Sequence, residues 1–382
     1  MRVTLFGCGR MGLGCAHSLA TDPAVTRLTL FDTDPDRAHD TAHRITPYAT
    51  GTVTVATDPD AARAGQDVLA TALPWAACRD LIGTAARTGV PIAGIARPHQ
   101  DDLAMLGDLD RPGTSTVLLP IGLEPGLTEL LAAELAERLD HTRSVEIFCG
   151  GIPGTPREPI GHVSFFGGES AHHLPIAQRD SLATRHGRLV TVPRFSGLEE
   201  RHFDGIGTLQ AYHDGMVPWL RTHPALSEAD CTQKTVRWPG FGEAVTRLAQ
   251  LGLLGEEPVD VDGARVVPRR LVERVLAPRV MARPADTDLV VLEVIAHGTL
   301  GGRPHGLRVR LTDTHDPATG LAAMTRCTGF ALAAASLLLA GGEVGGAGWQ
   351  MPHLAIHGAA RGRLLDTLRR HGIRIAELIP AA

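Results

Sequence analysis

Val3-Thr4-Leu5-Phe6-Gly7-Cys8-Gly9-Arg10-Met11-Gly12 decides the fold of this chain. An apolar run, Val3 to Phe6, leads into G-x-G-x-x-G, and a helical pattern follows from Met11 to Ala20. Strand, glycine loop and helix in that order form the phosphate-binding turn of a dinucleotide-binding unit. Gly7 permits the tight turn, Gly9 lets backbone approach a pyrophosphate, and Gly12 lets the helix close on the strand. Arg10 and Met11 stand where free N–H groups and a partial positive charge face the phosphates. Asp32 lies twenty residues beyond Gly12, at the end of a second strand, Arg27 to Phe31. A carboxylate there accepts hydrogen bonds from both ribose hydroxyls. Asp32 and Asp34 repel a 2′-phosphate and no arginine follows Asp32 directly, which favours NAD over NADP, although Arg37 is near enough in sequence to swing in.

Outward from this stretch, apolar runs at Val53 to Ala56, Asp67 to Ala72, Pro91 to Ile95 and Thr116 to Pro120 alternate with helical patterns. That rhythm predicts an α/β Rossmann domain, a doubly wound parallel sheet, over residues 1–121. Thr71-Ala72-Leu73-Pro74, after the fourth strand, falls where backbone passes the nicotinamide ribose. Beyond Pro120 the rhythm changes. A helix is expected from Thr128 to Leu139, a strand from Ser144 to Cys149, and a Gly/Pro-rich turn from Gly150 to Pro159. Leu289 to Ala296 and Leu307 to Thr312 alternate in polarity, so residues 122–320 read as an antiparallel α+β substrate domain. Two further helices are expected, Leu321 to Ala340 and Gly362 to Gly372.

The 382 residues are 43% hydrophobic and 21% charged, the balance of a globular enzyme. A net charge of −5 without a basic run argues against a nucleic-acid surface. Six cysteines are scattered without a C-x-x-C pair, which suits buried thiols in a reducing cytoplasm. Arg10 interrupts the apolar N-terminal stretch, so it does not read as a signal peptide. The longest weakly polar run, Phe330 to Ala340, is too short to span a bilayer, so no membrane association is expected.

Several segments of the second half resemble, in order, motifs of the saccharopine reductase/lysine 6-dehydrogenase family. Gly122-Leu123-Glu124-Pro125-Gly126-Leu127 is similar to its G-x-x-P-G turn, and Cys149-Gly150-Gly151-Ile152-Pro153 to its V/C-G-G-L-P element. Gly207-Thr208-Leu209-Gln210-Ala211-Tyr212-His213-Asp214-Gly215-Met216 resembles G-T-L-E-A-F-x-T-D-G-L. Lys234-Thr235-Val236-Arg237-Trp238-Pro239-Gly240-Phe241 resembles K-T-L-R-Y-P-G-H, and Met324-Thr325-Arg326-Cys327-Thr328-Gly329-Phe330 the closing helix. The length fits the shorter lysine 6-dehydrogenase branch better. The resemblance implies a nucleotide domain completed by about residues 321–382, a homodimer, and NAD(P)-linked oxidation of a C–N bond in a small amino acid or amine. By default that substrate is L-lysine at its ε-amine, giving a semialdehyde that cyclises.

Hydride removal from an amine carbon needs the nitrogen lone pair, so the ammonium must first lose a proton. Tyr212, His213 and Asp214 offer three groups in a row, with His213 pointing away from its neighbours in an extended segment. Asp214 coincides with the family aspartate and His213 replaces a usual threonine; either is a candidate base, and Asp-Gly is also a turn signal anywhere. Arg237 suits a substrate carboxylate, since a guanidinium fork binds one bidentately. Lys234 stands beside it as an assistant or a surface lysine. Arg179 matches the arginine of the branch's R-P-A element if its spacing to Gly187 is kept. Glu124 either binds a substrate ammonium or caps the helix near Thr128. Ala93-Gly94-Ile95-Ala96 lacks the acid and hydroxyls that relatives carry after the fifth strand. Among eighteen histidines, His172-His173, His353 and His357 form no metal motif, so no metal is expected. The rival readings are a reductive, NADPH-using saccharopine reductase-like enzyme and a non-catalytic NAD-sensing regulator.

Overall fold

A computed structural model of the chain describes residues 1–111, 113–165, 174–177 and 180–378. It divides into two compact units, Met1–Glu134 with Pro317–Arg374, and Leu135–Asp316 with the residues from Ile375 onward.

In the first unit, strands β1 (Arg2–Phe6), β2 (Arg27–Phe31), β3 (Thr52–Val55), β4 (Val68–Thr71), β5 (Ile92–Gly94) and β6 (Thr116–Leu118) lie in the order β3-β2-β1-β4-β5-β6. Every pairing is parallel, and β17 (Gly348–Gln350) extends the sheet beside β6. Val3, Leu5, Leu28, Leu30 and Leu69 are buried, as strands covered on both faces require. The crossovers are α1 (Arg10–Thr21), α2 (Pro35–Ile45), α3 (Pro59–Arg63), α4 (Trp75–Thr88) and α5 (Leu103–Gly107). Strand order reverses between β1 and β4, and the glycine loop leaves β1 at that switch point, where open α/β sheets bind ligands.

Helix α6 (Leu127–Glu137) contains the division, so the first unit runs past the expected boundary at 121. The reason is burial: Leu127, Leu130 and Leu131 belong to the core. Helix α9 (Ala323–Ala340) packs on α1 almost backbone to backbone. A Cβ on Gly14 would stand 2.1 Å from the carbonyl oxygen of Thr325, and one on Gly329 2.4 Å from the nitrogen of Cys15. By length and composition α9 is apolar enough to cross a membrane, with a mean hydropathy of 1.4, and 83% of it is buried. The helix begins seven residues before the weakly polar run read from Phe330 to Ala340, and it includes Arg326. That arginine is itself buried, donating to the carbonyl of His371 at 3.0 Å.

The second unit is built on a sheet of β7 (His141–Pro153), β10 (Glu199–Phe203), β11 (Gly207–His213), β12 (Asp230–Arg237), β15 (Asp288–Leu300), β16 (Arg303–Thr314) and β18 (Ile375–Leu378), ordered β10-β11-β12-β7-β15-β16-β18. It is mixed rather than antiparallel, because β12 runs parallel to β7. Strand β7 does not end at Cys149 in a turn; it continues to Pro153 against β15. Gly150 serves close approach: a Cβ there would stand 2.4 Å from the carbonyl oxygen of Val236. The C-terminal β18 pairs with β16 in this sheet, so the last residues do not all complete the nucleotide domain. Two hairpins, β8–β9 (Asp180–Arg185, Arg188–Pro193) and β13–β14 (Val259–Val261, Ala264–Val266), and helices α7 (Phe241–Gln250) and α8 (Pro268–Val280) flank the sheet's sequence.

Candidate functional site

The glycine loop of the first unit closes on itself to backbone contact. Gly7 has φ +92°, and a Cβ on Gly12 would stand 1.9 Å from the Gly7 carbonyl oxygen. Gly9 faces open space, with no atom of the described residues within 4 Å of where a Cβ would be. As N-cap of α1 it brings no side chain, and the N–H groups of Arg10, Met11 and Gly12 begin the helix without intrahelical acceptors. Asp32 is held beside them. Its Oδ2 accepts the Cys8 N–H at 2.7 Å, and its Oδ1 the Asp34 N–H at 2.9 Å. An ionised carboxylate has about four acceptor sites, so two remain for ribose hydroxyls. Burial, helped by the Asp32 charge, pushes the Cys8 thiol up to about 12. Arg37 lies 3.9 Å from Asp32 and 3.5 Å from Asp34. Ala72 donates to the Phe6 carbonyl at 2.8 Å, its own carbonyl and the Leu73 side chain lie against Gly7, Ile95 donates to the Thr71 carbonyl, and Pro74 is the N-cap of α4. Open space over Gly9, a row of N–H groups and a fixed acid fit a dinucleotide. Glu124 accepts from Arg97 at 2.5 Å, while the acid at the start of α6 is Glu129, which accepts from the Gly126 N–H at 2.5 Å.

In the second unit, β11 and β12 pair with Tyr212 opposite Thr235, Gln210 opposite Arg237 and His213 opposite Lys234. Residues facing across an antiparallel pair share a side of the sheet. Tyr212 and Arg237 therefore stand on one face, His213 and Lys234 on the other. Asp214 joins the Tyr212 face, accepting the Thr235 hydroxyl at 2.9 Å through Oδ2. Its Oδ1 accepts from Nε of Arg194, a buried guanidinium that also donates to the Ala177 carbonyl at 2.7 Å and stacks 4.7 Å from the Phe195 ring.

Tyr212 is fully buried between Phe195 and Phe241, with ring centroids at 5.2 Å and 6.2 Å. Burial pushes its phenol up, and the Arg237 charge opposes that. Arg237 donates to the Gly151 carbonyl at 2.8 Å and lies 5.9 Å from the Phe241 ring. His162, which the sequence does not single out, packs 5.1 Å from the same ring and is 6% exposed. Burial and then the Arg237 charge push its imidazole down to about 3. Among the described residues, Arg237 Nε, the Tyr212 hydroxyl and His162 Nδ1 are buried without a geometric hydrogen-bond partner. Buried polar groups are almost always satisfied, so these three atoms leave hydrogen-bonding capacity that no other described residue fills. A cavity of about 530 Å³ opens at Arg194 and Phe195, with Ser196, Thr246 and Gln250 on its walls.

Lys234 is committed elsewhere, to the Gly197 carbonyl at 2.7 Å and Glu199 at 3.0 Å. His213 packs on Gly197; burial and then Lys234 lower its imidazole. Arg179, His172 and His173 lie outside the described residues. His162 binds a proton more readily unfolded than folded, so stability is lost as pH falls from about 6.5 towards about 3. One such histidine contributes a slope of about 1.4 kcal/mol per pH unit within that window. Chemical denaturation of the His162→Phe variant at pH 4 to 6 should give a correspondingly shallower dependence; an unchanged slope would count against a neutral buried imidazole.

A family model described as the saccharopine dehydrogenase C-terminal domain matches residues 122–373. Among solved structures, the apo histidine-tagged saccharopine dehydrogenase (L-Glu forming) from Saccharomyces cerevisiae is similar at a TM-score of 0.79 and 17% identity. The match covers 99% of this chain and 100% of that one. An engineered D-amino acid dehydrogenase bound to NADP+ (TM-score 0.44, 14% identity, 97% of this chain and 98% of that one) is more distant. So is a myo-inositol dehydrogenase from Corynebacterium glutamicum (0.42, 14%, 100% and 99%), and neither likeness bears on function.

Proposed function

We propose, from the premise that this chain belongs to the saccharopine dehydrogenase family, that it is an NAD-dependent dehydrogenase oxidising a C–N bond of an amino acid. The default substrate is L-lysine at its ε-amine. The observation that carries the reading is the cluster of Arg237 Nε, the Tyr212 hydroxyl and His162 Nδ1 on an aromatic floor, three buried polar atoms that no described residue satisfies. Arg237 holds the substrate carboxylate, and Tyr212, its phenol kept protonated by burial, donates a hydrogen bond to it. Asp214, on the same face, accepts the ammonium proton, directly or through a water. His213 is set aside as base because strand alternation turns it to the opposite face. Bound NAD supplies the hydride acceptor, on the Gly7–Gly12 loop with Asp32 at its ribose. The iminium carbon then takes water, releasing ammonium and an aldehyde. NAD is favoured over NADP because Asp32 and Asp34 outweigh Arg37. The six buried thiols suit a cytoplasmic setting.

A second reading, favoured by the end-to-end likeness to a saccharopine dehydrogenase, is a secondary amine such as saccharopine formed or cleaved with NADPH. Both are tested by following NADH and NADPH formation over lysine, ornithine, diamines and saccharopine. Turnover of lysine with NAD is expected; silence with every amine and both cofactors would end the proposal. Arg237→Met should lower kcat/KM by about 30-fold to 3,000-fold, the loss expected when one partner of a buried charge pair is removed. NAD affinity should not change.

A further inference from the structure

On the face of the second sheet opposite to Tyr212, three guanidiniums converge on one carboxylate. Glu293 of β15 is fully buried and stands opposite Arg310 on β16. Its Oε2 accepts from Arg310 Nε at 2.8 Å and from Arg308 Nη2 at 2.7 Å. Its Oε1 accepts from Arg201 Nη2 at 3.3 Å. Arg201 belongs to β10, and three strands separate β10 from β15, so the sheet curls to bring them together. Arg201 stacks 3.9 Å over the Phe148 ring and Arg310 5.1 Å over that of Phe203. Aromatic faces steady the guanidinium planes and leave their N–H edges to other partners.

The charges in this cluster do not balance. Each guanidinium carries five N–H donors, whereas a carboxylate offers about four acceptor sites, and Glu293 already accepts from all three arginines. Three positive charges against one negative leave an excess of two. Asp204 lies 3.7 Å from Arg310, but its side chain is 86% exposed and solvent screens it. Glu146, opposite Ile295 on the same face, makes no ion pair with the arginines among the described residues. The side chains of Arg201, Arg308 and Arg310 are only 24%, 17% and 8% exposed. Charge so poorly hydrated is costly without a counter-charge, and the cluster draws an anion.

We infer that Arg201, Arg308 and Arg310 form a binding site for a phosphoryl group, distinct from the substrate site. A phosphate monoester carries about −1.5 to −2 charge at pH 7 on one compact group, which matches the excess of two. Guanidinium forks also fit its oxygens bidentately. A dicarboxylate spreads its charge over two separated groups, whereas these arginines meet at a single point. A cavity of about 410 Å³ opens beside them, at Thr312, the next residue of β16 on this face, and at Gly205, which follows Asp204. Leu289 and Trp238 also line it, which leaves room for the organic part of a phosphate ester. The site stands or falls independently of the reaction.

Calorimetric titration of the full chain with inorganic phosphate and with phenyl phosphate tests it, at constant ionic strength with chloride as the balancing anion. Saturable binding is expected, and it should persist in Gly9→Val, which excludes the glycine loop as its source. In that background Arg201→Met with Arg308→Met should weaken phosphate by at least about 100-fold, the loss of two charge-assisted contacts. This double change leaves Arg310 and Glu293 as a neutral pair, so the melting temperature in phosphate-free buffer should be no lower. Arg201→Gln is the milder variant and should weaken binding by about 10-fold. Tighter binding of phenyl phosphate than of inorganic phosphate assigns the site to an ester, and equal affinities assign it to the free ion. No saturable binding to the wild type, its loss in Gly9→Val, or undiminished affinity in the arginine variants would overturn the site.

Discussion

Gly9→Val should abolish NAD binding and leave the melting temperature unchanged, whereas Gly12→Val should abolish binding and lower the melting temperature as well. The two glycines stand three residues apart in one loop and differ in what a side chain would meet. At Gly9 the backbone is extended, φ −69° and ψ −170°, a region valine adopts without strain, and the space beyond is empty. The added isopropyl group there occupies the volume a pyrophosphate needs. At Gly12 a Cβ would stand 1.9 Å from the Gly7 carbonyl, so α1 must move off β1. Overpacking of that kind costs about 1–3 kcal/mol. Calorimetric titration with NAD and a thermal melt separate the outcomes, with an expected affinity loss of at least about 100-fold in both variants. Wild-type affinity in Gly9→Val would remove the phosphate-cradle reading.

Asp214→Asn should be both inactive and unstable, and the two effects should come apart in a double variant. Asp214 pairs with Arg194, whose side chain is 6% exposed, and accepts from Thr235. Removing the carboxylate charge strands a buried guanidinium, a loss of about 3–5 kcal/mol. Adding Arg194→Met removes that stranded charge and should return most of the stability, since apolar replacement of a buried pair is often neutral. Activity should not return, remaining about 10²-fold to 10⁴-fold below wild type, the usual contribution of a positioned base. Recovery of activity along with the melting temperature would show that Asp214 serves only to hold Arg194.

The Rossmann unit was legible because its determinants are local. Gly7, Gly9, Gly12 and Asp32 act through backbone conformation and a strand–loop–helix order written in consecutive residues. Strand alternation, equally local, separates His213 from Tyr212 and Asp214. The limits of β7 are set non-locally: Gly150 and Gly151 have the local signature of a turn, but Val236 of a distant strand lies against Gly150 and keeps the segment extended. The same holds for β18, whose partner β16 lies more than sixty residues away in sequence.

For the candidate site, the resemblance of two segments to family motifs, with the chemistry of their residue types, nominated Tyr212, Asp214 and Arg237, and the paired strands bring Tyr212 and Arg237 to one face. Only tertiary packing assigned Arg194 to Asp214 and carried His162, a single histidine in a loop without any pattern, to the Phe241 ring. A lone side chain has no periodicity to betray it; burial and the charge of Arg237 give it its character. The sequence by itself determined the dinucleotide loop, since backbone freedom and helix polarity are properties of a few neighbouring residues. The tertiary structure decided which polar groups meet without satisfying one another, because that depends on distant strands arriving at one place.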